Sequence, residues 1–124
     1  MASLTVQKLG VLTKRAEFLH VREGRYAARG AVVVQMRRPE VTTVCPIRYG
    51  VTATKKVGNA VVRNRAKRRL REAARALLPI MGQPGFDYVL IARRKTHIRD
   101  WSDLLDDVRR ALQSVHEPSP RPSS

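Results

Sequence analysis

The strongest constraint on the fold is the segment 59–78, which has the spacing of one long amphipathic helix. Asn59 is suited to cap the start of this helix, and Pro79 is expected to end it. A helix with one apolar face must cover another apolar surface, so the rest of the chain has to supply a sheet or further helices. With successive residues about 100° apart, the apolar side chains fall within one arc: Val62, Ala66, Leu70, Ala73, Ala74 and Leu77.

Three other segments predict that this surface is a small sheet. Residues 31–36 are rich in valine, and residues 47–53 alternate between apolar and polar side chains. Residues 86–92 are apolar enough for a central strand that is covered on both faces. Residues 41–44 could add a further strand.

Two shorter segments with helical spacing complete the predicted elements. One covers residues 12–22 and the other begins at Asp100. The order is therefore helix, two or three strands, helix, strand, helix. This order predicts an α/β (α+β) two-layer sandwich in which helices pack on one small sheet.

The length and the cysteine content indicate one domain in a reducing compartment. The chain has 124 residues, which suits one compact domain. We expect residues 1–116 to form that domain and the Pro- and Ser-rich residues 117–124 to be a disordered tail. The single cysteine, Cys45, excludes an intramolecular disulfide. Because the apolar runs are also too short to span a bilayer, we expect a cytoplasmic protein.

Positive charge is abundant and unevenly placed. The chain carries 25 Lys and Arg against 10 Asp and Glu, for a formal net charge of +15. Such a field favours a polyanionic partner, nucleic acid first and an acidic membrane surface second. One segment holds much of the charge with a single acid, Glu72; its basic residues are Lys55, Lys56, Arg63, Arg65, Lys67, Arg68, Arg69, Arg71 and Arg75.

The start of the basic helix has the chemistry of an RNA-binding element. Gly58 lets the chain turn from strand to helix without a Cβ clash. Free amide groups at the start of the helix, flanked by Lys55 and Lys56, can hold an anion. Asn64 adds a donor and an acceptor for a base edge or a 2′-hydroxyl.

Arg63-Asn64-Arg65, with the lead-in Lys-Lys-Val-Gly-Asn-Ala-Val, resembles the signature of the bacterial ribonuclease P protein subunit. The order of elements follows that family over residues 12–115. The resemblance implies a left-handed βαβ crossover, against the usual right-handed rule. It also implies a ribonucleoprotein endonuclease that removes the 5′ leader from precursor tRNA. In that enzyme the RNA subunit is the catalyst and Mg²⁺ is bound mainly by the RNA.

The same resemblance assigns two sets of binding residues and no catalytic or metal-binding residue on the protein. The catalytic RNA would dock on the basic helix, at Arg63, Asn64, Arg65, Lys67, Arg68 and Arg71. The leader of precursor tRNA would lie in the cleft between helix and sheet, at Phe18, Lys55, Lys56, Arg93 and Arg94. Neither a membrane nor an obligate protein partner is expected.

Two departures from the family pattern affect the leader site. Arg22 stands where a second aromatic often follows the first by one helical turn. On the first strand, where an aromatic is common, the chain has Val34, Gln35 and Met36. Stacking contributes about 1–3 kcal/mol per aromatic contact, so we expect the cleft to hold the leader more by charge than by stacking. Phe18 itself fits two roles, a core residue and a base platform.

The residues give little support to an active site on the protein. Asp103, Asp106 and Asp107 share a helical face, but they lie in the first turns, where the helix dipole accounts for them. Cys45 has no adjacent base and no second cysteine. The histidines lack a carboxylate at a useful spacing; these are His20, His97 and His116.

The alternative function is that of a small basic ribosomal or other structural RNA-binding protein, which would share the charge and the fold. Other classes fit less well. A DNA-binding regulator would need a helix and a tight turn before the basic helix. A nuclease acting alone would need clustered carboxylates, and a membrane-surface protein would need an aromatic anchor on the basic helix.

Overall fold

The computed structural model describes residues 8–40 and 46–117, which form strands and helices around one sheet. None of the helices in these ranges is long and apolar enough to cross a membrane. A 3₁₀ turn, Lys55–Val57, precedes the longest helix. In chain order the elements are β1 (Leu9–Val11), α1 (Arg15–Arg22), β2 (Arg25–Arg29), β3 (Val32–Arg37), β4 (Ile47–Thr52), α2 (Ala60–Met81), β5 (Phe86–Ala92) and α3 (Trp101–His116).

The strands form one mixed sheet in the order β1-β4-β5-β3-β2. β4 pairs in parallel with both β1 and β5, whereas β3 pairs antiparallel with β5 and with β2. β4 and β5 are neighbours, so α2 is the crossover between two parallel strands. This unit is the one to which the implied left-handed connection applies.

Successive side chains along each strand point to opposite faces of the sheet, and different helices pack on the two faces. One face packs under α2 and α3 and forms the main core, with Val34, Tyr49 and Leu90 among its buried residues. The opposite face carries Val89, which packs against Leu12 and against Val21 of α1. The α+β fold expected from the sequence, a small sheet packed by helices, is confirmed.

The long helix follows its predicted pattern at the start and departs from it at the end. The Asn59 side chain caps it by accepting a hydrogen bond from the Val62 N–H at 3.0 Å. The helix continues through Pro79 to Met81, so the prediction that Pro79 ends it is wrong. Proline frees the carbonyl four residues earlier, at Arg75. Because Arg75 is exposed, water can satisfy that carbonyl. The buried side chains are Ala66, Leu70, Ala73, Ala74 and Leu78.

The sequence pattern misses β1 and β2, the two edge strands. β2 has a single buried residue, Ala27, so its side chains show little of the alternation that predicts a strand. β1 is only three residues long and forms because β4 supplies its hydrogen bonds. The strand suggested at residues 41–44 lies outside the described residues, as does the predicted tail from residue 118.

A buried carboxylate joins α3 to the turn between β2 and β3. Asp107 is 3% exposed and accepts a hydrogen bond from the Ala31 N–H at 3.0 Å. Arg99 donates two more to it, at 2.9 and 3.2 Å. Gly30 has φ +50°, and a Cβ there would lie 2.3 Å from the carboxylate. The helix dipole therefore does not account for Asp107, which holds the turn directly.

The loop between β5 and α3 is fixed from inside by Thr96. Its buried Oγ1 donates to the Ala31 carbonyl at 2.6 Å and accepts from the Arg93 N–H at 2.7 Å. Arg69 of α2 donates to the Thr96 carbonyl at 2.6 Å and also to the Arg99 carbonyl. This loop is therefore tied to both large helices and to the β2–β3 turn.

Arg48 attaches α1 to the opposite face of the sheet. From β4 it donates two hydrogen bonds to Asp87 on β5, at 2.9 and 2.6 Å, and one to Glu17 on α1, at 2.9 Å. Hydrogen bonds from the Lys14 and Thr13 N–H groups, followed by the charge of Arg48, lower the pKa of Glu17 below its ordinary value. The start of α1 is thereby both capped and held to the sheet.

We expect Asp107→Ala to lower the free energy of unfolding by about 2 kcal/mol, because it leaves the buried Ala31 N–H without an acceptor. Asp106→Ala on the same helix is the matched control. Its ion pairs with Arg109 and Arg110 are exposed, so it should cost less than about 0.5 kcal/mol. Urea unfolding measures both variants, and equal losses would contradict the role of Asp107.

Candidate nucleic-acid interface

The outward side of α2 is a cationic surface. Asn64, Arg65, Arg68 and Arg71 are exposed there, and we call these residues the outer face of α2. Within residues 8–40 and 46–117, none of the three arginines forms an ion pair. Their charges are therefore available to an anion. Guanidinium groups suit phosphate in particular because they donate two parallel hydrogen bonds.

The other two residues predicted for docking lie on the flanks of the helix. Arg63 and Lys67 are half-buried. Arg63 stands two helical turns before the buried Leu70, which puts it on the core side. Its Nε is buried and has no hydrogen-bond partner among the described residues. Of the six residues predicted for docking, the exposed ones are therefore those of the outer face of α2.

The 3₁₀ turn holds two lysines where β4 leads into α2. Val57 is buried and anchors the turn, while Lys55 and Lys56 are exposed. Gly58 follows with φ +151°, and a Cβ there would lie 2.8 Å from Val62. The turn therefore requires glycine at this position. It keeps the two lysines close to both the sheet and the first turn of α2.

A cleft of about 720 Å³ opens at the end of the sheet where β4 and β5 finish. Its floor includes Val33 and Ile91, which face each other across β3 and β5. No acidic residue lines it in the described part of the chain. An apolar floor with a cationic rim suits single-stranded nucleic acid, whose bases stack while its phosphates meet the cations. The basic residues at the rim are Lys56, Arg93, Arg94, Lys95 and Arg99.

The structure brings three of the five predicted leader residues together. Lys56, Arg93 and Arg94 line the cleft, whereas Phe18 and Lys55 do not. Arg93 is held in place by a hydrogen bond from its guanidinium to the Gly30 carbonyl at 3.2 Å. Three of the four cations of the predicted site therefore share one rim.

Phe18 lies beside the cleft, on the sheet face covered by α1. Its ring occupies the space above Gly50, where an added Cβ would lie 2.5 Å from two ring carbons. It packs with the cluster of Leu12, Val21 and Val89, yet it is only half-buried. Phe18 therefore contributes to α1 packing and keeps part of its ring accessible.

Arg69 differs in role from the basic residues around it. Both of its hydrogen bonds go to carbonyls of the loop between β5 and α3. Its guanidinium also lies 5.8 Å from the centre of the Trp101 ring. Arg68, its neighbour in sequence, is exposed. Arg69 therefore positions the loop that carries Arg93 and Arg94.

The floor and part of the rim of the cleft were not predicted from the sequence. The sequence predicts no more for Val33 and Ile91 than that they lie in strands. Only the register of β3 against β5 places them side by side. Lys95 could have been found, since it directly follows Arg93 and Arg94. Arg99 could not, because its position depends on Asp107, whose hydrogen bond raises the pKa of Arg99 above its ordinary value.

Three carboxylates of the described residues hold parts of the fold together. Asp87 and Glu17 are bound by Arg48, and Asp107 is bound by Arg99. In residues 8–40 and 46–117, no group of three or more His, Cys, Asp or Glu could hold a metal ion.

Comparison with known sequences gives one consistent result. The family model described as Ribonuclease P matches residues 6–116. The ribonuclease P protein component of Ruegeria pomeroyi is 53% identical over 113 residues, which cover 90% of this chain and 90% of that protein. The corresponding protein of Caulobacter vibrioides is 53% identical over 104 residues, covering 84% of this chain and 69% of the relative.

Solved structures agree with this result. The RNase P protein of Staphylococcus aureus superposes with a TM-score of 0.70 at 25% identity, covering 88% of this chain and 97% of that one. The RNase P protein of Thermotoga maritima gives a TM-score of 0.69 at 26% identity, covering 86% and 97%.

Proposed function

Because this chain belongs to the ribonuclease P protein family, we propose that it holds precursor tRNA and the catalytic RNA together, on two separate surfaces. As a ribonuclease P protein component it is part of an endoribonuclease of tRNA processing and partners an RNA subunit. The observation that carries the proposal is the pairing of the outer face of α2 with the cationic cleft. The two surfaces meet at the 3₁₀ turn Lys55–Val57.

The catalytic RNA docks on the outer face of α2 in this proposal. The support is its exposed Arg65, Arg68 and Arg71, none of them paired with an acid in the described residues. Asn64 lies among them and can contact a base edge or a 2′-hydroxyl. Arg63 and Lys67, on the flanks of the helix, also contact the catalytic RNA in this proposal. Because both are half-buried, they can contact fewer phosphates than the exposed arginines.

The single-stranded 5′ leader occupies the cleft and its surroundings, against Phe18, Lys55, Lys56, Arg93 and Arg94. The cationic rim and the apolar floor at Val33 and Ile91 support this placement. Mature tRNA has no leader, so only the precursor can make these contacts. The protein therefore binds substrate more tightly than product, which eases product release.

Catalysis belongs to the RNA subunit in this proposal, and Mg²⁺ is bound mainly by RNA. The support is that the described residues hold no group of three or more His, Cys, Asp or Glu that could bind a metal ion, and that arginines bind Glu17, Asp87 and Asp107. The chain contributes positive charge, which neutralises phosphates that would otherwise repel each other. Cleavage with the protein should therefore need less Mg²⁺ than cleavage by the RNA alone.

We also propose that residues 1–116 act as one RNA-binding domain in the cytoplasm, followed by the tail 117–124. The described helices α2 and α3 and strands β2 to β5 share one core cluster, which supports a single domain. The lone Cys45 and the polyanionic partner support the compartment.

The test of the proposed function is cleavage of precursor tRNA at low Mg²⁺ by a bacterial ribonuclease P RNA, with and without this protein. We expect strong stimulation by the protein and no cleavage by the protein alone. Cleavage by the protein alone would place an active site on it. Tight RNA binding without stimulation would favour the structural RNA-binding alternative.

The docking surface makes a prediction about salt dependence. In the variant Arg65→Ala/Arg68→Ala, affinity for the catalytic RNA should fall. The slope of log affinity against log salt should shrink by about one for each lost phosphate contact. The control is Arg109→Ala/Arg110→Ala, which removes the same charge from α3. If both variants weaken binding equally, net charge rather than the outer face of α2 determines docking.

The cleft makes a prediction about the two neighbouring lysines. Lys56 lines the cleft and Lys55 does not, so Lys56→Ala should narrow the affinity gap between precursor and mature tRNA by about fivefold, or about 1 kcal/mol. Lys55→Ala, an equal change of charge one residue away, should narrow it less. Equilibrium binding of both RNAs to the reconstituted holoenzyme measures the gap. An unchanged gap in Lys56→Ala would exclude Lys56 from leader binding.

A further inference from the structure

Tyr26 is an exposed aromatic ring on the sheet face covered by α1. Side chains in one register row of a sheet point to the same face. Tyr26 faces Gln35 on β3, Gln35 faces Val89 on β5, and Val89 faces Gly50 on β4. Val89 packs under α1, so Tyr26 lies on that same face. It stands at the β2 edge, roughly 14 Å across the sheet from Gly50, given three strand spacings.

The position of Tyr26 continues the floor of the cleft. Ala28, two residues further along β2, faces the same side as Tyr26 and pairs with Val33. Val33 in turn lines the cleft and pairs with Ile91. The same face of the sheet therefore leads from the cleft, past Val33 and Ala28, to the ring of Tyr26.

Packing does not explain an aromatic residue at this position. Tyr26 is 71% exposed, whereas Ala27, the next residue of β2, is buried in the main core. An exposed ring contributes little to the free energy of folding, because little apolar area leaves water. Tyr26 is therefore free to bind another flat apolar group.

The cation nearest in sequence on the α1 side is Arg22. It follows Phe18 by one helical turn, so both lie on the same side of α1, and Arg22 is exposed. Tyr26 follows Arg22 after four residues, on the strand that α1 leads into. The end of α1 lies beside the end of β3, where the His20 carbonyl accepts a hydrogen bond from Arg37. Arg22 is therefore beyond Tyr26 as seen from the cleft, and a ring followed by a guanidinium group matches a base and the phosphate next to it.

We propose that Tyr26 is a stacking platform for a base of the single-stranded leader, with Arg22 contacting the neighbouring phosphate. This inference rests on the proposed binding of the leader in the cleft. It adds a subsite at the β2 edge, beyond the rim formed by Lys56, Arg93 and Arg94. A leader that reaches this subsite must cross the sheet, so only long leaders can occupy it. Because every base can stack on an aromatic ring, affinity at this subsite should depend on the length of the leader and not on its sequence.

The test uses the holoenzyme reconstituted with a bacterial ribonuclease P RNA and compares Tyr26→Ala with Tyr26→Phe. The substrates are precursor tRNA with a long leader, precursor tRNA with a leader of one nucleotide, and mature tRNA. Tyr26→Ala should weaken binding of the long-leader substrate by about fivefold or more and leave the other two unchanged. Tyr26→Phe should bind like the wild type. Ile80→Ala, at an equally exposed position on α2, is the matched control and should change nothing.

A second arm locates the base that stacks. An abasic sugar is placed at successive leader positions, and at one of them Tyr26→Ala should cause no further loss, as expected for two groups in contact. Unchanged long-leader affinity in Tyr26→Ala, an equal loss for all three substrates, or no such position would overturn the stacking role of Tyr26. If the wild type itself does not prefer the long-leader substrate, the proposed leader binding fails, and this inference fails with it.

Discussion

The buried carboxylate of Asp107 is the contact on which the arrangement of the binding surfaces depends. It fixes the β2–β3 turn through the Ala31 N–H and the loop after β5 through Arg99. Arg69 ties the same loop to α2. The cationic rim is carried by that loop and by the 3₁₀ turn, so its geometry relative to α2 is set by these hydrogen bonds. Such a rim needs fixed support, because cations held close together repel each other.

The few acids of the chain are placed so that the binding surfaces stay positive. Glu17 and Asp87 meet Arg48 inside the α1 contact, and Asp107 meets Arg99 beneath the loop. In these ion pairs the carboxylates are neutralised by arginines within the fold. The rim cations Lys56, Arg93 and Arg94 have no acid among the residues that line the cleft. The cations of the outer face of α2 share that helix with one acid, Glu72. RNA phosphates then relieve the repulsion among these cations, so binding should also stabilise the folded chain.

Local patterns predicted the parts of the fold that are amphipathic on their own. The arc from Val62 to Leu77 and the Asn59 cap define α2 because both signals lie within one helix. β1 and β2 have no such signal, since a short edge strand is specified by its partner. The prediction that Pro79 ends α2 was wrong for a related reason. The free-energy cost of proline within a helix depends on whether water reaches the carbonyl that it leaves unpaired, here that of Arg75. Helical spacing also does not predict that Arg68 is exposed while Arg69 binds the loop after β5. That difference depends on where the loop lies in the folded chain.

The two faces of the sheet give the proposed function a simple geometry. α2 and α3 cover one face, while the leader site opens at the end of the sheet and continues onto the face under α1. The catalytic RNA and the leader would therefore approach from different sides and meet at the turn holding Lys55 and Lys56. Two polyanions held on different sides of the protein repel less than two held side by side. In the proposed function, leader binding would add affinity for the substrate without competing for the surface that holds the catalytic RNA, and this added affinity would end when the leader is cut away.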